Sequence, residues 1–158
     1  MSGQELSPVE AVVLDAVESA MIRIRRRQSR RSLARTVLQS LDVPMDLNTL
    51  TVIDAIDEAR DPQDVTVGFV ADRLAVDPSR ASRIVAEAVK AGFVRRVASQ
   101  EDGRRSCLEL TPAGRLAIDT AHRTRQTFYA GLLEDWSPED RKEFARLLTR
   151  FARALDEE

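Results

Sequence analysis

Along most of the chain, apolar residues recur every three or four positions, and in two short stretches they recur every second position. The first spacing predicts amphipathic helices and the second half-buried strands. "SPVE" at 7–10 opens a helix, with Ser7 as N-cap, Pro8 in the first helical position and Glu10 closing a capping box. Val13, Ala16, Val17, Ala20 and Ile24 follow on one face. Beyond Met21 the character changes to "RIRRRQSRRSLAR", and Leu33, Val37 and Leu41 carry a sparser stripe up to Pro44. This pattern allows either one bent helix over 8–41 or two. From Asp46 another helix is expected, with Leu50, Ile53 and Ile56 inward, ending before "RDPQD".

The middle, "DVTVGFVADRLAVDPSRASRIVAEAVKAGFV", is the most specific part. Thr66 is placed to cap a short helix whose inward face is Val67, Val70, Ala71 and Leu74, with Val65 packing on Val70 as a staple. Asp77 then caps a second helix that has Pro78 first. In that helix Ala81, Ile84, Val85, Ala88 and Val89 point inward, and Arg80, Arg83, Glu87 and Lys90 share the opposite side. Gly92 suits the left-handed position that ends a helix, with Phe93 as the apolar contact after it. Two short helices joined by a three-residue turn are a helix-turn-helix. Phe93 to Ser99 is expected to pair with a strand in which Ser106, Leu108 and Leu110 alternate with Cys107, Glu109 and Thr111; Asp102-Gly103 supplies the turn. "TPAG", capped by Thr111, restarts a long helix with the stripe Ala117, Ala121, Phe128 and Leu132. "SPED" at 137–140 opens the last, where Phe144, Leu147, Leu148, Phe151 and Leu155 lie on one side.

The predicted architecture is mainly α with a small β-hairpin: a winged helix-turn-helix flanked by N- and C-terminal dimerisation helices. The expected boundaries are 1–45 and 116–158 for the helical dimerisation regions and 46–115 for the winged helix-turn-helix. Dimerisation is expected because a small winged lobe cannot cover two long amphipathic terminal helices.

A length of 158 residues suits one domain or two small layers on a shared core. No apolar run approaches the ~20 residues of a membrane helix, and "MSGQELSPVE" lacks the basic and apolar regions of a secretory signal. One cysteine, Cys107, excludes an internal disulfide and fits a reducing cytoplasm. The formal net charge of −2 argues at first against a nucleic-acid partner, but its distribution reverses the argument. Residues 1–41 carry +3, 42–64 carry −6, 65–115 carry +3 and 116–158 carry −2. Two basic regions are therefore hidden in an acidic total, and a basic patch outweighs the sum.

The central motifs resemble the MarR family of bacterial transcriptional regulators. "VTVGFVADRLAVDPSRASRIVAEAVKAGFVRR" is similar to that family's helix-turn-helix, and "EDGRRSCLELTPAG" resembles its wing, in which Asp-x-Arg, here Asp102 and Arg104, precedes "LTPxG". The resemblance runs from about residue 47 to 115; the flanking helices agree only in length and placement. It implies a cytoplasmic homodimer that binds pseudo-palindromic operators in double-stranded DNA, usually as a repressor, and that a small ligand or oxidant often releases. The chain departs from members that sense peroxide through a first-helix cysteine, having none there, and from zinc sensors, offering only His122 and Cys107. No metal or cofactor is expected.

Within this frame Ser79, Arg80, Ser82 and Arg83 are the candidates for base and phosphate contacts in the major groove. Arg104 is expected to enter the minor groove, oriented by Asp102 through a charge-assisted pair, with Arg105 beside it. Arg95 and Arg96 are candidate phosphate contacts. The run Arg23 to Arg35 is expected to reach flanking phosphate or to pair with the acid-rich segment 42–64 of its own or the partner subunit, the latter, intramolecular or intersubunit, being the favoured expectation. A basic run without an aromatic-rich apolar face does not suit a membrane surface. Cys107 reads as a small apolar residue and His122 as a surface or interface residue.

An enzyme is not expected. The six glycines are never closer than 11 positions, so no phosphate-cradling loop exists, and one His and one Cys do not make a nucleophile–base pair. Two other readings stay open: a winged-helix module whose hairpin binds an acidic protein, and an added sensor function in a cavity between the dimer helices and the winged lobe.

Overall fold

The computed structural model describes residues 7–29, 32–59, 65–98 and 106–156. Seven helices and one hairpin follow in the order α1 (Pro8–Ser29), α2 (Ser32–Ser40), α3 (Leu47–Asp57), α4 (Val67–Arg73), α5 (Pro78–Lys90), β1 (Val94–Ala98), β2 (Ser106–Leu110), α6 (Pro112–Leu132) and α7 (Pro138–Asp156). In the stretch left open as one bent helix or two, α1 and α2 lie on either side of residues 30–31, which are outside the described residues.

Most helix starts are set by one side chain three residues before the amide it serves. Asp46, Thr66, Asp77 and Thr111 accept from the amides of Thr49, Phe69, Arg80 and Gly114 at 2.7, 3.2, 2.8 and 3.1 Å. Each such cap contributes about 1 kcal/mol. At α1 the expected capping box is closed in both directions: Ser7 N–H donates to Glu10 Oε2 at 2.9 Å, and Glu10 N–H donates to Ser7 Oγ at 3.3 Å. These bonds hold the exposed Glu10 carboxyl below its ordinary value.

The core is built around α3. Leu50, Val52, Ile53, Ala55 and Ile56 are all buried, because α2, α4, α5, α6 and β2 pack around this one helix. The expected inward stripe of Leu50, Ile53 and Ile56 is therefore only part of its buried surface. β1 and β2 pair antiparallel, Val94 opposite Leu110 and Ala98 opposite Ser106. The carbonyl of Val65 accepts from the Leu108 amide at 2.7 Å, so the segment leading into α4 lies along the outer edge of β2. Strict alternation put Cys107 on the outward side with Glu109; the residue is 2% exposed, as buried as Leu108 and Leu110. Both faces of β2 are covered at that level, which alternation along a single strand does not reveal.

The two ends of the chain differ from this core. Between Pro8 and Arg27 only Ala20 and Ile22 are partly buried, and every residue from Pro138 to Leu155 is exposed. Val9, Val13, Val17 and Ile24 of α1 and Phe144, Leu147, Leu148, Phe151 and Leu155 of α7 present apolar faces that nothing in one copy covers. Among the described residues no helix is long and apolar enough to cross a membrane.

Candidate nucleic-acid interface

α5 is fastened on one side only. Ala81, Ile84, Val85 and Ala88 are buried, against α3 and α4, while Ser79, Arg80, Ser82, Arg83, Glu87 and Lys90 are exposed. All four residues expected to read DNA from this helix thus lie in solvent on its first two turns. Asp77 satisfies the Arg80 amide and fixes where the helix begins.

The turn before α5 and the turn after it have the same hydrogen bonding. After α4, Val76 N–H donates to Ala71 O at 3.0 Å and Ala75 N–H to Asp72 O at 3.2 Å; Ala75 has φ +49°. After α5, Phe93 N–H donates to Ala88 O at 3.2 Å and Gly92 N–H to Val89 O at 3.0 Å; Gly92 has φ +84°. Both are Schellman closures, with the left-handed residue at the position that favours glycine.

The hairpin departs from this second closure. Phe93 O accepts from the Thr111 amide at 3.0 Å, and Thr111 Oγ1 donates to Gly92 O at 2.6 Å while also accepting from the Gly114 amide. A Cβ on Gly114 would lie 2.1 Å from Phe93 O, so α6 starts with its backbone pressed on the segment that ends α5. This is the physical need behind the glycine of "LTPxG".

Arg95 and Glu109 face each other across the strands, with Arg95 Nη2 and Nε at 2.7 and 3.0 Å from Glu109 Oε2. The pair is solvent-exposed, and Arg95 must leave or share this carboxylate to touch a phosphate. Sequence reasoning missed the pair, although the facing register of the two strands could have shown it. Arg96 is exposed opposite Leu108. Asp102, Arg104 and Arg105, with the rest of the hairpin tip, lie outside the described residues.

The acids at the end of α3 have described partners on α4 and α6. Arg125 bonds both oxygens of Asp54 at 2.6 and 2.7 Å, His122 Nε2 lies 2.8 Å from Asp57 Oδ2, and Arg73 pairs with Glu58. The partners seen for these three acids come from α6 and α4, toward which the end of α3 turns them, and not from the run Arg23 to Arg35 that was expected to pair with this segment in its own or a partner subunit. Burial pushes the Asp54 carboxyl above the usual aspartate range, against the opposing pull of Arg125. Among the described residues no group of three or more His, Cys, Asp and Glu could hold a metal ion.

The sequence profile of the MarR family matches residues 44–105, a span that begins just before α3 and ends in the hairpin tip. The fold is that of the MarR family. A MarR family protein of Bacillus stearothermophilus superposes with TM-score 0.76 at 20% identity, over 92% of this chain and 97% of that one. A MepR variant of S. aureus bound to an oligodeoxyribonucleotide superposes with TM-score 0.54 at 17% identity, over 87% and 97%. PcaV of Streptomyces coelicolor, in complex with its natural ligand, does so with TM-score 0.57 at 19% identity, over 98% and 99%. No curated protein sequence matches the chain. Within this MarR fold, α4 and α5 are the helix-turn-helix and β1–β2 the wing.

Proposed function

We propose that the chain is a homodimeric, sequence-specific DNA-binding regulator that represses from pseudo-palindromic operators and has no catalytic role. The observation that carries this reading is α5, buried along one side and presenting Ser79, Arg80, Ser82 and Arg83 along the other, directly before a wing. An α-helix fits the major groove, where an arginine can bond guanine O6 and N7 together and a serine can hold phosphate or a base edge. Arg104, aligned by Asp102, enters the neighbouring minor groove, and Arg105, Arg95 and Arg96 serve the phosphates. The uncovered apolar faces of α1 and α7 close against a second copy, which sets the two reading helices one DNA turn apart, about 34 Å. That a relative of the same fold binds an oligodeoxyribonucleotide, and another its natural ligand, supports both the DNA partner and a small-molecule effector between the terminal helices and the winged lobe. The compartment is the cytoplasm.

The test is selection of bound fragments from random and genomic duplexes, followed by salt titration of the best one with wild type and Arg104→Ala. The expected result is an inverted repeat. With roughly 6–10 phosphate contacts, affinity should fall about 10³–10⁵-fold between ~50 and ~200 mM salt. Unchanged affinity in Arg104→Ala would remove the wing from the interface. Weak binding with no enriched sequence would favour a winged protein-interaction module instead.

A further inference from the structure

The last turn of α3 and the end residue after it hold Asp54, Asp57 and Glu58, and α3 has no basic residue in that turn. Carboxylates sit badly at a helix C-terminus, where the backbone carbonyls already present negative charge. The compensating groups come from other elements: Arg73 of α4 on Glu58, and Arg125 and His122 of α6 on Asp54 and Asp57. The last two pairs run antiparallel along the α3–α6 contact, three residues apart on each helix, and so form two rungs. Arg125–Asp54 is three-quarters buried and bidentate, whereas the His122–Asp57 side chains are 46% and 34% exposed. The other groups near the second rung do not replace it. Arg123 of α6 donates to Thr120 Oγ1, and α2 contributes the neutral Ser40 hydroxyl, 2.8 Å from Thr124 Oγ1.

We propose that His122 is a positioning residue, the proton-sensitive rung of a latch that fixes the winged lobe on α6 and thereby holds the reading helix in its DNA-binding pose. This rests on the DNA-binding reading. Among side chains, histidine is the one whose charge ordinarily changes between pH ~5 and 8. With an imidazolium at His122 both rungs are ion pairs. With a neutral ring the second rung is a plain hydrogen bond, and Asp57 is left on the negative end of α3 with less compensation. α6 continues from the winged lobe toward the uncovered terminal helices, so a looser joint lets each reading helix sample more orientations. Ordering them on DNA then costs more.

The experiment measures affinity for the selected duplex from pH 5.5 to 8.5 at fixed ionic strength, using full-length wild type, His122→Gln, His122→Arg and Asp57→Asn. Thermal midpoints without DNA are recorded over the same range. An exposed pair of this kind supports an affinity step of about two- to fivefold. Wild type should bind that much more tightly at pH 6 than at pH 8. His122→Arg should keep the tight value throughout, and His122→Gln the weak one. Asp57→Asn should lose the step. Without DNA, the midpoint difference between wild type and His122→Gln should grow as pH falls. A step that survives in Asp57→Asn would reduce His122 to a distant charge felt by DNA and overturn the proposal. A DNA-free difference that is flat with pH would overturn it as well. If the DNA-free difference grows but no duplex is bound at any pH, the latch is supported, while the DNA reading and the pose-setting role fall together.

Discussion

Ala75 and Gly92 occupy the same place in two successive helix ends, one at each end of the reading helix, and only one of them has the residue the conformation favours. At φ +49° the Cβ of Ala75 crowds its own backbone, a cost of about 1–2 kcal/mol relative to a right-handed conformation. Gly92 at φ +84° has no such cost. Ala75→Gly should therefore stabilise the fold. The relief is offset in part by the greater freedom of glycine in the unfolded chain, leaving about 0.5–1 kcal/mol, read as a higher denaturant midpoint with an unchanged slope. An equal or lower midpoint would show that the turn is not strained. The sequence placed both residues in turns, but "RLAVD" carries no glycine to mark a left-handed position, so the strain was not legible there.

Among the elements, α3 separates what a sequence can show from what it cannot. Its cap, its length and its stripe of Leu50, Ile53 and Ile56 were readable because they depend on neighbours three or four residues away. Its burial on further sides was not, because that depends on five elements arriving from elsewhere in the chain. The same holds for its acids: a run of seven arginines nearby made the obvious partner, yet the cations that reach Asp54 and Asp57 come from residues 65 or more positions on. The reading helix was almost wholly legible, since its inward and outward faces follow from one helical period. The Arg95–Glu109 pair was not, since it depends on strand register. Arg125→Ala should cost about 1–3 kcal/mol at pH 7 by leaving a largely buried carboxylate without its cation, the figure being held down by partial exposure. Asp54 is already above the aspartate range, so in the variant it should protonate readily. An acid whose folded pKa is raised gains stability as pH falls through that value. The deficit of Arg125→Ala should accordingly shrink as pH falls from 7 in parallel unfolding curves, and a deficit that widens would contradict the assignment.

At the scale of the molecule, the winged lobe has a closed core and the terminal helices do not. A helix with Phe144, Leu147, Leu148, Phe151 and Leu155 in solvent gains little by folding alone, and in the proposed dimer a contact with the second copy would supply the burial that α7 lacks. Leu148→Asp puts a charge into that contact and should weaken the dimer by at least about 100-fold, seen by sedimentation at micromolar concentration. The winged lobe should stay folded by circular dichroism, and DNA affinity should fall with the dimer. A variant that stays dimeric would place the interface elsewhere.

The meeting of Gly92, Phe93, Thr111 and Gly114 has a mechanical consequence. The last turn of α5, both legs of the hairpin and the first turn of α6 meet where Thr111 Oγ1 lies 2.6 Å from Gly92 O and a Cβ on Gly114 would lie 2.1 Å from Phe93 O. Helix and wing are thus two prongs of one forged piece. The close contacts at their shared base couple the end of α5 and the base of the hairpin to the start of α6. On the proposed DNA-binding reading, a change of operator would come from exposed side chains such as Arg83 rather than from a new angle between α5 and the base of the hairpin.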